Sequence, residues 1–225
     1  MEKLHVKIMI YNFYKPIGWT SFDVVKKIRG ITRDKKVGHG GTLDPFAEGV
    51  LVIGTNADTK ILTEISGTIK SYRAILTLGE ETDTLDIDGK IINTCPVSIL
   101  DEKMVKSVLN DFLGESEQVP PMYSAKKVNG VRLYKMARKN QVVERKPTLI
   151  NIYDIKLNHI EGNQIDFSVT CSKGTYVRVL GLEIAKKLGT VGHLTQLTRT
   201  AVGEYRIHDS VRLTEFEEKW ISTVH

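Results

Sequence analysis

Two rhythms of hydrophobic and polar positions run along this chain. VKIMIYNF (Val6–Phe13) is a short apolar run of aromatic and β-branched residues and predicts a buried strand. KPIGWTS reads as a turn, with Ser21 placed to cap a helix, SFDVVKKIRG, that carries Asp23 in its first turn and Gly30 as its stop. A glycine-rich loop follows and runs into a second strand, GVLVIG. DTKILTEISG predicts a short helix closed by Gly67, and IKSYRAILTL alternates apolar and polar positions as a half-buried strand does.

Beyond an acidic, turn-forming loop, GEETDTLDIDG, the clearest helical stretch is SILDEKMVKSVLNDFLG. Ser98 begins it, Asp101 stands three residues on, and Gly114 ends it. QVPPMYSAKKVNG is turn-rich and basic, and VRLYKMARKN (Val131–Asn140) reads as a basic helix. TLINIYDIKLNHI and QIDFSVTCS are strand-like. Val177, Leu180, Ile184 and Leu188 then recur at helical spacing from about Thr175, and AVGEYRI is a last strand-like piece before a tail. Strands and helices mix without a regular βαβ alternation, which predicts an α+β domain with a mixed, mainly antiparallel sheet.

Length and composition narrow the class. At 225 residues with 41% hydrophobic content, the chain has enough apolar surface to bury a core. The net charge of +5 fits a polyanionic partner and equally a solvated basic surface. Two cysteines, Cys95 and Cys171, stand far apart outside any metal-binding spacing, so neither a zinc site nor a disulfide framework is expected. No apolar run is long enough to span a bilayer and the N-terminus lacks a signal-peptide layout, so a cytoplasmic setting is expected.

The glycine-rich loop VGHGGTLDPFAEGVLVIG matches no phosphate-binding pattern: there is neither GxxxxGK[ST] nor a strand–GxGxxG–helix unit. His39 and Asp44 lack partners at metal-ligand spacing, and no GxSxG occurs. Asp44 and Glu48 are close in sequence, but no second acid has a motif behind it, as a glycosidase would need. What remains is one carboxylate before Pro45, which restricts Asp44 to extended backbone angles. On the residues alone, an isolated Asp-Pro is a plain turn.

Four segments, VGHGGTLDPFAEGVLVIG, IKSYRAILTLGEETDTLDIDG, QVPPMYSAKKVNGVRLYKMAR and CSKGTYVRVL, together resemble the bacterial tRNA pseudouridine synthase B family, which isomerises uridine 55 in the T loop of tRNA. The resemblance runs from KPIGWTS to AVGEYRI, nearly the whole chain. It implies a pseudouridine synthase catalytic domain over 1–215, with an inserted subdomain at about 115–145 and a tail at 216–225. It implies that Asp44 is the nucleophile, that Tyr72 stacks on the target base, and that Arg178 pairs with the aspartate. His39, Tyr176 and Leu197 then line the flipped nucleotide, and Lys15, Lys126, Lys127, Arg132 and Lys135 face the tRNA backbone. The implied enzyme needs no cofactor, no metal and no obligatory protein partner, acts on the tRNA T stem-loop, stays off membranes and is a monomer. A tRNA-folding chaperone with little turnover and a guide-dependent relative acting on ribosomal RNA are the alternatives.

The chain departs from the family pattern in three places. Tyr14 stands where relatives carry Asp before Lys-Pro. Gly40 stands where they carry Thr or Ser, which is expected to loosen the loop. After AVGEYRI there is room for only a tail before His225, so the C-terminal RNA-binding (PUA) domain that many relatives carry is not expected.

Overall fold

The computed structural model describes residues 10–128, 130–139 and 141–224. The expected first strand falls outside these residues at 6–9, as do Asn129 and Asn140 of the basic segment. In chain order the elements are β1 (Ile10–Lys15), α1 (Ser21–Thr32), β2 (Val37–His39), β3 (Glu48–Thr55), α2 (Leu62–Gly67), β4 (Lys70–Leu78), β5 (Glu80–Thr82), β6 (Ile91–Thr94) and α3 (Glu102–Asn110). β7 (Gly114–Gln118), β8 (Lys127–Val128), β9 (Val131–Arg132), α4 (Leu133–Ala137), β10 (Thr148–Glu161) and β11 (Gln164–Cys171) follow. α5 (Val177–Lys187), β12 (Gly192–Val202), β13 (Tyr205–Arg206) and α6 (Leu213–Val224) complete the chain. The class is α+β, with mainly antiparallel strands flanked by helices.

The chain forms two compact units, one of residues 1–70 with 199–225, the other of residues 71–198. In the first, the strand order is β1–β3–β12, with β2 also on β3 and β13 on β12. GVLVIG makes β3 apolar on both faces, so it needs cover on both. Leu51 and Ile53 pack with Phe13 of β1, Val24, Val25 and Ile28 of α1, and Leu213 and Phe216 of α6. Val50 and Val52 pack on the other side with Leu62, Ile65 and Val202.

Local chemistry sets the helix ends. Thr20, not Ser21, caps α1: its hydroxyl accepts from the Asp23 amide while the Asp23 carboxylate accepts from the Thr20 amide, a reciprocal capping box. Gly30 does not stop this helix, which runs to Thr32 and ends at Arg33 in a left-handed conformation. The tail region is largely helical, and Phe216 meets Tyr11 and Phe13 edge-on with ring centroids 5.1 Å apart in both pairs.

In the second unit the strand order is β12–β4–β11–β10–β7, with two-stranded ribbons β5–β6 and β8–β9. The apolar row of β4 (Ala74, Leu76, Leu78) is buried, as are Ile165, Phe167 and Val169 of β11 and Leu180 and Ile184 of α5. α3 begins later than its sequence pattern predicts, because Asp101 is itself the cap, accepting from the Lys103 and Met104 amides. It ends at Asn110, and Gly114 opens β7 instead of closing the helix. The expected helix at 131–140 is shorter: Val131–Arg132 pair with Lys127–Val128 as a hairpin, and α4 spans only Leu133–Ala137.

Candidate active site

In the first unit, β2 delivers the chain to a loop that carries Asp44 and returns as β3. Asp44 is half-buried, and its carbonyl accepts from the Ala47 amide at 3.1 Å, closing the Asp-Pro turn. Half-buried His39 accepts at Nδ1 from the Gly41 amide, 3.3 Å away. Gly40 does not loosen the loop. It is buried, its amide donates to Val52 O at 2.8 Å, and an added Cβ would stand 2.9 Å from Ile65 Cγ2. Glycine is what lets α2 pack against this turn.

Lys15, expected on an RNA-facing surface, is instead 0% exposed. Its ammonium donates to Trp19 O at 2.6 Å, Pro16 O at 2.9 Å and Pro45 O at 3.4 Å, which ties the first turn to the Asp44 loop. Burial pushes its pKa down to about 8; the Asp44 carboxylate pulls it back toward the charged form, and Arg199 acts in the same direction as burial. A lysine used in this way is not available to a phosphate. Tyr14 donates its hydroxyl to Glu48 Oε2 at 2.6 Å, and its ring lies under the Arg212 guanidinium.

The second unit holds Tyr72, Tyr176, Arg178 and Leu197. Tyr72 extends the inward row of β4 and is half-buried. Its neighbours are fixed to β11, Ser71 by a hydroxyl contact with Thr170 (2.9 Å) and Arg73 by a forked pair with Asp166. That pair holds the Asp166 carboxyl below its usual pKa range. Leu197 is buried on β12. Tyr176 precedes α5, and its backbone N–H and C=O both bond the side-chain amide of buried Gln118.

Arg178, in the first turn of α5, is 3% exposed. Its guanidinium donates to Thr84 O and, at 2.8 Å, to Tyr123 O, and lies 3.4 Å from the Asp86 carboxylate. Asp86 is a functional candidate that the sequence pattern hid. It belongs to the acidic, turn-forming loop TLDIDG, where no motif singles it out, yet it is 5% exposed and accepts from Thr84 Oγ1 and the Asp88 amide. Leu85 just before it takes φ 64°, a left-handed conformation that disfavours any residue with a Cβ. Lys126, Lys127, Arg132 and Lys135 are exposed around the β8–β9 hairpin and α4.

Among the described residues, no group of three His, Cys, Asp or Glu side chains is arranged to hold a metal ion, and no helix is long and apolar enough to cross a membrane.

Comparison with known proteins gives the class. Residues 29–177 match the family model described as "TruB family pseudouridylate synthase (N terminal domain)". The chain is 44% identical over 217 residues to "tRNA pseudouridine synthase B" of Lactococcus lactis subsp. cremoris, covering 93% of this chain and 66%, just under two thirds, of that protein. It is 46% identical over 210 residues to the protein of the same name from Clostridium tetani, covering 93% of this chain and 73% of that one. A solved structure described as "Crystal Structure of a Cbf5-Nop10-Gar1 Complex" superposes with a TM-score of 0.74 at 28% identity, over 93% of this chain and 53% of that one. The fold and motifs are therefore those of a pseudouridylate synthase. The chain belongs to the TruB family.

Proposed function

We propose that this chain isomerises uridine 55 in the T loop of tRNA to pseudouridine, with Asp44 as nucleophile. The observation that carries the reading is identity of 44–46% to proteins named tRNA pseudouridine synthase B, over 93% of the chain, with GTLDP, KSYRA and GTYVRVL intact. The solved Cbf5-Nop10-Gar1 complex stands further off, at 28% identity.

The chemistry asks for few groups. The target uracil is stacked inside folded RNA and has to swing out before the glycosidic bond is reachable. C1′–N1 then breaks, the ring turns, and C1′–C5 forms. C5 gives up a proton and N1 takes one, so no atom is gained, no oxidation occurs and no cofactor or metal is called for. The half-buried Asp44 carboxylate is aimed by its turn, with the Lys15 ammonium beside it. Tyr72 offers its ring to the freed uracil, a stacking contact worth roughly 1–3 kcal/mol. Arg178, braced by Asp86 and two carbonyls, supplies a fixed positive charge. His39, Tyr176 and Leu197 line the nucleotide, and Lys126, Lys127, Arg132 and Lys135 take the backbone phosphates. The enzyme acts as a monomer in the cytoplasm without an obligatory protein partner.

Incubation with unmodified tRNA should yield pseudouridine at position 55 without any guide RNA. Full conversion by Asp44→Asn would overturn the assignment of the nucleophile, and conversion only with a guide would move the chain to the other substrate class.

A further inference from the structure

We propose that Arg199 and Ser21 are positioning residues that hold the Asp44 loop rigid by capturing its backbone carbonyls; the inference rests on Asp44 being the nucleophile. Arg199 is 2% exposed, and all three arms of its guanidinium go to main-chain oxygens. Nε donates to Val50 O at 2.8 Å, Nη1 to Thr42 O at 3.1 Å and Nη2 to Gly41 O at 3.2 Å. Those acceptors flank Asp44 on both sides, so one side chain ties the segment entering the turn to the strand leaving it.

Ser21, 3% exposed at the start of α1, grips the next residue. Its hydroxyl accepts from the Leu43 amide at 2.9 Å and lies 3.2 Å from Leu43 O as donor. The Ala47 amide takes Asp44 O, and the Gly18 amide and Lys15 ammonium take Pro45 O. Every carbonyl from Gly41 to Pro45 thus has a donor from outside the five-residue segment. A loop that carried only a turn would leave these oxygens to water. A loop that must hold one carboxylate against a flipped nucleotide needs them fixed, because a displacement of about 1 Å can cost roughly 100-fold in rate.

The approach of Arg199 is itself built in. Gly49 takes φ 104°, and an added Cβ there would stand 2.4 Å from Arg199 O. The glycine thus lets the two backbones close until the guanidinium reaches across β3 to Gly41 and Thr42. A lysine at 199 keeps the charge but has one ammonium, which cannot span three acceptors set in a planar fork.

The test compares Arg199→Lys, Ser21→Ala, Ser21→Thr and a plain core variant, Ile28→Ala, by single-turnover rate on tRNA, tRNA affinity, melting temperature and amide exchange at Leu43 and Ala47. Arg199→Lys is expected to slow turnover about 100-fold, with tRNA affinity within about threefold of wild type. Ser21→Ala should slow it about 10-fold although alanine is the better helix former, and Ser21→Thr, which keeps the hydroxyl, should recover the loss. Both slow variants should exchange faster at Leu43 and Ala47, whereas Ile28→Ala should melt earlier and turn over normally once folded. Wild-type turnover in folded Arg199→Lys, or unchanged exchange in the loop, overturns the inference. If Arg199→Lys does not fold, the Ser21 pair decides it by the same readouts. If the wild-type chain makes no pseudouridine, the proposed function falls, and the exchange measurements alone judge the clamp.

Discussion

Raising the pH from 8 to 10 should stabilise this protein, because Lys15 is charged at the expense of folding. The side chain is fully buried, and burial lowers its pKa from 10.5 to about 8. Between those values the unfolded chain still binds the proton and the folded chain has released it, so unfolding takes up a proton and becomes harder as pH rises. Every tenfold loss of proton affinity on folding corresponds to about 1.4 kcal/mol, so the gain should reach roughly 2–3 kcal/mol by pH 10. The tyrosines set the upper end of the window. Tyr14 is pushed up to about 12, chiefly by burial and then by its bond to Glu48, and Tyr11, Tyr123 and Tyr205 are also raised by burial. They keep their protons when folded and therefore reduce stability above about pH 10. Urea unfolding of wild type and Lys15→Met across pH 7.5 to 10, at fixed ionic strength, isolates the lysine, because the tyrosines contribute to both proteins. The stability difference should move toward wild type as pH rises through 8. A difference independent of pH would refute the reasoning and mean that Lys15 titrates as a solvated lysine does.

Three further outcomes follow from contacts already described. Phe216→Ala should lower stability by about 3–5 kcal/mol in urea unfolding, because the ring fills the core beneath β1 and α1. Asp86→Ala should cost about 2 kcal/mol, the worth of a hydrogen bond to a charged group, and should slow pseudouridine formation more than it weakens tRNA binding, since its partner is Arg178. Lys127→Ala should weaken tRNA binding and lower the slope of log affinity against log salt by about 1, as expected when one phosphate contact is lost.

Much of the fold is legible in the sequence where one physical demand dominates. GVLVIG is apolar at every position and becomes a strand covered on both faces, and IKSYRAILTL alternates because one row alone is buried. Elements with mixed demands are harder to read. GHLTQLTRTAV carries threonines, Gln196 and Arg199 among its apolar residues, yet it forms β12, because a buried arginine there is satisfied by main-chain oxygens supplied some 150 residues earlier in the chain. The expected tail at 216–225 lies largely within α6. Leu213, Phe216 and Trp220 sit at helical spacing and pack on one core.

The candidate site divides the same way. Asp44, Tyr72 and Arg178 are visible through motifs, whereas the side chains around them are not. Lys15 looks like a surface charge until the Pro45 carbonyl, 30 residues away, is brought to it. Asp86 is one of several acids in a turn-forming loop, and only the fold reveals that Arg178 stands beside it.

The most direct measurement is a crystal structure of this chain bound to a T stem-loop carrying 5-fluorouridine at position 55. The account predicts the modified base out of the helical stack, its ring against Tyr72 and its nucleoside within bonding reach of the Asp44 carboxylate, with Arg178 alongside. A base still stacked in the RNA, or one seated away from Asp44, would contradict it.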